Sequence, residues 1–324
     1  MTSTTLPKHQ QSPPNGAKGS NVYQIVTDQI LKLLEQGNVP WHRPWRQVIG
    51  DAPMNVRGTA YRGANYFLLS ALGYERPIFL TYRQATELGG NVKRGEKGWP
   101  VVYWKMLEAK NPEEPQDDKT KKAEDKRKMV PLLRYFTVFN IAQCEGLSLP
   151  SRFAEKPEPQ SPPTPRFDPI EAADRIRAGY PNPPTFHFSG DRASYSPSLD
   201  RIIMPPKEAF ESGEEYYSTL FHEMGHSTGH KNRLSRDLGY SRGHQDYARE
   251  ELIAEMCAAF LCAKAGISQP VIENQAAYLD SWSQALKNDP KLFVTAAGKA
   301  QKAADYVLGA SASSEADPAE DLCA

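Results

Sequence analysis

The stretch LFHEMGHSTGH, residues 220–230, decides how the rest of the chain is read. It holds His222, His226 and His230, three of the seven histidines in 324 residues, and Glu223 directly follows the first. On a helix, residues four apart share a face and lie about 6 Å apart along the axis, so imidazoles at 222 and 226 can converge on one ion. This is the HExxH pattern. In such sites zinc takes both histidines, and the glutamate removes the proton from the water that attacks a carbonyl. Glu223 is therefore the candidate catalytic residue, His222 and His226 are candidate ligands, and Zn2+ is the expected metal, with Mn2+ or Co2+ as alternatives.

A catalytic zinc needs a third protein ligand and one open position. His230 is the nearest histidine, but on a continuous helix it sits about 12 Å along the axis from His222, beyond what one ion bridges. Gly229 can end the helix there, which weakens that argument without reversing it. A metzincin arrangement requires a histidine six residues after His226, and that position is Asn232. The better source is YAREELIAEMCAAF, residues 247–260. Glu251 and Glu255 share one face of a helix whose other positions include Leu252, Ile253, Met256 and Phe260, and carboxylates on such a helix need a partner to be buried. Glu251 is assigned as third ligand, and Glu255, one turn later, as the acceptor that orients a ligand histidine. The reverse assignment stays open.

HEMGH followed by EELIAE resembles the gluzincin pattern, in which a glutamate ligates zinc and an acid four residues later orients a histidine. The resemblance implies a Tyr or His just before the ligand glutamate that steadies an oxyanion, and His244, Tyr247 and Tyr240 are in reach. It also implies that DRIIMPP, residues 200–206, is an edge strand along which an extended peptide lies.

The half of the chain before this region has a different character. The net charge is zero, yet residues 1–150 carry 21 Lys and Arg against 14 Asp and Glu, while the remainder carries 18 against 25. A basic half beside an acidic one suggests that the first meets a polyanion. Aromatic residues interleave with the cations: Trp41, Trp45, Tyr61, Tyr66, Tyr82, Trp99, Tyr103, Trp104, Tyr135 and Phe136 among Arg43, Arg46, Arg57, Arg62, Arg83, Lys93, Arg94, Lys97 and Lys105. That combination suits single-stranded nucleic acid, whose phosphates need cations and whose unstacked bases need aromatic faces.

Seven prolines in PSRFAEKPEPQSPPTPRFDP, residues 150–169, interrupt any helix or central strand and mark an interdomain linker, placed at 151–168. Before it, helical spacing predicts helices near 22–36, 63–73 and 81–90, then two strands, WPVVYWKML and LLRYFTVFNI, joined by a charged loop at about 108–129 that is expected to be disordered. After it come a short helix, three short strands, the motif helix and a final helical block. The expected organisation is α+β, with a leader over 1–20, a first domain over 21–150, a second over 169–310 built of a small mixed sheet plus active-site helices, and a disordered tail over 311–324. The N-terminus lacks the apolar core of a signal peptide and nothing spans a membrane, so the expected location is the cytoplasm. Four scattered cysteines without a CxxC pair indicate neither a disulfide framework nor a thiolate zinc site.

GNVPWHRPW, YRGANYFLLSALGY, GGNVKRGEKGWPVVYWK and YFTVFNIAQCEGL together resemble the N-terminal domain of the ArdC antirestriction family, shared with TraC-type primases, while HEMGHSTGHKNRLSRD and YAREELIAEMCAAFL resemble the zincin-like metallopeptidase domain that comes after it. The charged insert and the two tails lie outside these stretches. The resemblance implies single-stranded DNA binding by the first domain and a zinc peptidase-like site in the second, acting to protect incoming plasmid DNA from restriction during conjugation. A component of a restriction system is the implied protein substrate. The alternative is a blocker that binds DNA or a restriction enzyme, with a purely structural metal and no cleavage.

Overall fold

Val22, Val26, Ile30, Leu33 and Leu34 recur at helical spacing and form the buried side of α1 (Gly19–Glu35). Gly37, in the left-handed region at φ 76°, ends the helix, where its N–H bonds back to Leu34 and that of Asn38 to Leu33. In the computed structural model the described residues are 19–41, 52–108, 129–153, 169–238, 245–267 and 275–310. The expected leader before residue 19, the charged loop over 109–128, most of the linker and the tail after 310 lie outside them.

Four strands form the first sheet, in the order β1 (Met54–Asn55), β2 (Ile78–Leu80), β5 (Met129–Asn140), β4 (Trp99–Glu108). The two aromatic, β-branched segments pair antiparallel as their composition predicts, from Trp99 opposite Val138 to Glu108 opposite Met129. α2 (Gly63–Ser70) runs beside β4, and Asn65 takes the place of a neighbouring strand by donating to the Val102 carbonyl (2.7 Å) and accepting from its N–H (2.8 Å). Thr81 caps α3 (Tyr82–Glu87) in a reciprocal capping box with Gln84. The short pair β3 (Asn91–Val92) and β6 (Cys144–Glu145) completes this half. Ser151–Phe153 forms a 3-10 turn with Phe153 buried, so the start of the expected linker belongs to the first domain.

The second half begins with α4 (Pro169–Ala178) and a three-stranded sheet ordered β7 (Thr185–Phe188), β9 (Arg201–Met204), β8 (Ser194–Ser196). The expectation that DRIIMPP lies at an edge is corrected here. β9 is the central strand, parallel to β7 and antiparallel to β8, and it buries Ile202 and Met204 completely. Four helices come next: α5 (Gly213–Ser227), α6 (Gln245–Ala265), α7 (Gln275–Asn288) and α8 (Leu292–Val307). No helix among the described residues is long and apolar enough to cross a membrane.

The largest hydrophobic cluster spans both halves, and two smaller ones lie within the first. Trp41 sits 5.2 Å from Trp282 and 6.1 Å from Phe293, and Phe67 on α2 packs 4.6 Å from Phe260 on α6. Polar contacts reinforce the junction, with Arg62 on Asp305 (2.5 Å), the Gly63 N–H on Gln301 (3.1 Å) and the Thr27 hydroxyl on the Pro290 carbonyl (2.8 Å). The helix that carries the candidate third ligand is thereby packed directly on the first domain.

Candidate metal centre

Ser212 caps α5 by accepting the Glu215 N–H at 3.1 Å, which fixes the helical phase of the HExxH segment two turns further on. Tyr216, Tyr217, Leu220, Phe221 and Met224 face the core, and the same phase sets His222 and His226 one turn apart toward α6. Gly225 lets the two helices approach closely, so Glu251 on α6 reaches both imidazoles.

The Nε2 atoms of His222 and His226 are 3.1 Å apart, and the Glu251 oxygens lie 3.6 and 3.4 Å from them. One ligand atom from each of the three residues falls within 4.8 Å of the others. Two nitrogens each about 2.1 Å from a common ion stand no more than about 4 Å apart, so this spacing suits a shared cation. The other ring nitrogens are occupied: His222 Nδ1 faces Glu255 at 3.5 Å and His226 Nδ1 faces Glu250 at 3.4 Å. That division leaves both Nε2 atoms turned toward each other and Glu251, the orientation that metal-ligating histidines adopt.

The electrostatics point the same way. Burial opposes charge on His222, yet Glu255 and Glu251 raise its pKa; burial likewise opposes charge on His226, yet Glu250 and Glu251 push it up to about 10. Glu251 is itself held far below the usual carboxylate range, because its contacts with His222 and His226 outweigh its burial. Carboxylates surround these two imidazoles, and Glu223 beside them is only 8% exposed. A divalent cation is the charge such a donor set accommodates.

Glu250 is absent from the sequence-based assignment, yet it is the most enclosed acid here, 2% exposed. It is held by Arg236, whose Nε and Nη2 donate to its two oxygens at 3.1 and 2.6 Å. Arg236 also donates to the Gly225 carbonyl (2.9 Å) and the Thr228 hydroxyl (2.6 Å), tying the segment after α5 to both helices. An adjacent Glu-Glu pair on an otherwise apolar helix was the signal: both cannot face one ligand, so the first needed a cation of its own.

α5 ends at Ser227, and His230 lies beyond it against Asp200 at 3.8 Å, apart from the other two histidines. Tyr240 and His244 fall outside the described residues, and of Tyr247 only the backbone, in α6, is described.

The candidate DNA-contacting residues are scattered in their surroundings. Trp41 and Tyr61 are 1% and 2% exposed and cannot stack on a base, because both are packed into protein core; for these two the sequence-based assignment is corrected. Arg62 is paired with Asp305, and Arg43, Trp45 and Arg46 lie outside the described residues. Arg57, Tyr82, Arg83, Lys93, Arg94 and Lys97 are exposed, Trp99 is half-buried, and Trp104 is exposed with its ring edge-on to Tyr23.

Comparison with known proteins gives two matched segments, one on each side of the proline-rich stretch. Residues 20–139 match the N-terminal domain of anti-restriction factor ArdC, and residues 181–299 match a zincin-like metallopeptidase domain. The chain is 36% identical to the DNA primase TraC of Escherichia coli over 88% of its own length, but it spans only 27% of TraC. It is 34% identical to the uncharacterized protein y4eC of Sinorhizobium fredii, covering 89% of this chain and 92% of that one. Among solved structures it resembles the Mn(II)-bound antirestriction protein ArdC from the R388 plasmid, with 38% identity, a TM-score of 0.66, and coverage of 90% of this chain and 98% of that one.

Proposed function

From the premise that this chain belongs to the ArdC antirestriction family, we propose that its first domain binds single-stranded DNA and its second is a metal-dependent, peptidase-like hydrolytic centre. The observation that carries the second half is the convergence of His222, His226 and Glu251 within 4.8 Å, with each histidine's other nitrogen on a separate carboxylate. Zinc is the metal this two-nitrogen, one-carboxylate set fits best, although the R388 ArdC structure is Mn(II)-bound.

A divalent cation held there supplies Lewis acidity to a carbonyl and lowers the pKa of a water. The chain's own residues do the rest. Glu223, buried beside His222, takes the proton of the attacking water as oxygen adds to the carbonyl carbon, then gives a proton to the departing amine nitrogen as the C–N bond breaks. Glu255 and Glu250 keep His222 and His226 in the orientation that leaves Nε2 free. The basic charge of residues 1–150 supports a polyanionic partner for the first domain. Together the two activities serve protection of incoming plasmid DNA, with a component of a restriction system as protein substrate and the cytoplasm as the place of action.

Two measurements test this. Metal content of the purified chain should fall when His222 is replaced by Ala, and equal loading of both proteins refutes the site. Antirestriction should be lost in Glu223→Ala while metal and DNA binding persist. If protection survives that substitution intact, the chain acts as a blocker rather than by cleavage.

A further inference from the structure

β4 and β5 pair over ten positions, so alternate side chains point to opposite faces of the sheet. One face, with Val102, Leu133 and Tyr135, joins the core shared by the two domains. The other carries Trp99, Val101, Tyr103 and Lys105 from β4 opposite Val138, Phe136, Arg134 and Leu132 from β5. Val101 and Val138 are covered by Tyr61 and Leu69, and Trp99 and Phe136 pack against the edge of that cluster; these two, Tyr103 and Arg134 are half-buried, and Lys105 is exposed. Tyr103 and Phe136 stand side by side, ring centres 5.7 Å apart at 49°. Among the described residues the buried Nε of Arg134 has no hydrogen-bond partner, and neither Arg134 nor Lys105 meets a carboxylate.

We propose that single-stranded DNA runs across this face, its bases against Trp99, Tyr103 and Phe136 and its phosphates against Arg134 and Lys105. The proposal rests on the reading that the first domain binds single strands, and it adds where they lie. Side chains two apart along a strand are about 7 Å from one another, so the aromatic rings form a row with cations at one end. Every base offers a ring face and every linkage a negative charge, and this strip presents complementary groups for both. A duplex keeps its rings inside the stack and can use only the cations. Trp41 and Tyr61 are enclosed in core, whereas Tyr82 and Trp104 are exposed but lie outside this row, Trp104 on the opposite face of β4.

The test is fluorescence anisotropy of a labelled oligothymidylate titrated with the full chain, run for wild type, Tyr103→Ala, Phe136→Ala, Tyr103→Phe and Arg134→Gln. Phe188→Ala, which removes an exposed aromatic of the second domain, is the control. The two alanine variants should bind about five- to hundredfold more weakly, Tyr103→Phe and the control should match wild type, and Arg134→Gln should shallow the salt dependence by about one counterion. Phe136 contributes to a small core, so Tyr103→Ala and Arg134→Gln, at the open end of the strip, decide the matter if Phe136→Ala unfolds. Wild-type binding left unchanged by both overturns this placement while the single-strand reading survives. A wild-type chain that does not bind the oligonucleotide overturns that reading and this inference with it.

Discussion

Gly225 of α5 lies against Ala254 of α6 so closely that a methyl at 225 would come 3.1 Å from the Ala254 Cα and 3.2 Å from its carbonyl oxygen. This contact sets the separation of the two helices that supply His222, His226 and Glu251. Gly225→Ala should therefore act on the metal more than on the fold. The helix gains up to about 1 kcal/mol in propensity, against roughly 1–3 kcal/mol of overpacking, so the melting temperature should shift little. Metal affinity should fall about tenfold or more, because α6 must retreat by a few tenths of an ångström. Titration with Mn2+ followed by EPR measures it, and an affinity equal to wild type would remove the helix contact from the account.

Local chemistry made part of this legible. Two histidines at helical spacing and a glutamate on an apolar helix carry their constraint in sequence, and the structure brings those three side chains together. Thr81 as a cap and the β4–β5 pair were readable for the same reason: each depends on neighbours along the chain or on strand composition. What escaped depends on three-dimensional order. The edge position of β9 is implied by the gluzincin resemblance alone, and strand order leaves no local mark in the sequence to correct it. Trp41 reads like a stacking residue because a tryptophan beside arginines looks the same in sequence whether its neighbour in space is a base or Trp282.

Glu250 should matter to the metal although it does not face it. It accepts from Arg236 and stands 3.4 Å from His226 Nδ1. Glu250→Gln keeps the volume but removes the charge that orients the imidazole, so metal affinity should fall about 10- to 100-fold. It also leaves Arg236 uncompensated at 7% exposure, and stability should drop by about 3 kcal/mol. Calorimetric metal titration and thermal melting read the two effects separately; a variant that melts early yet binds metal like wild type would assign Glu250 to the fold alone.

Removing the metal should destabilise the whole chain. A ligand present at a hundred times its dissociation constant adds about 2.7 kcal/mol, which a chelator abolishes. Glu223→Gln should show the same chelator-dependent loss as wild type, since the three converging ligand groups do not include it, whereas His222→Ala should show almost none. Scanning calorimetry with and without EDTA compares the three proteins, and a His222→Ala melt as chelator-sensitive as wild type would contradict the ligand set.

Acid should weaken the β8–β9 hairpin through Asp200. Burial favours its neutral form, but hydrogen bonds from Arg233 and Tyr195 hold its pKa below the usual value. A depressed folded-state pKa contributes stability that is fully present above the unfolded value of about 4 and is lost as pH falls through the folded one. Arg233, with no exposed side-chain surface, also bonds the Ser227 carbonyl (2.7 Å), so the pair ties the hairpin to the end of α5. Arg233→Ala should cost about 3 kcal/mol at neutral pH, and the difference from wild type should narrow below about pH 4. Urea melts at about pH 7, 4 and 3 measure this directly; a gap that stays constant across that range would mean Asp200 is not the titrating group.

The two domains should unfold as one unit, because Trp41 of the first is buried between Trp282 and Phe293 of the second. A linker-separated pair would instead melt in two steps, each half with its own core. Trp41→Ala opens a cavity at the junction and should cost about 3–5 kcal/mol. Since Phe67 of the first domain packs on Phe260 of the helix that carries Glu251, loosening the junction should also lower metal affinity at a distance. Calorimetry of wild type should give one transition, with release of bound metal coincident with the loss of helical signal. Two separated transitions, or a Trp41→Ala variant that loses stability only in the first domain and keeps full metal affinity, would show that the shared core does not couple the halves.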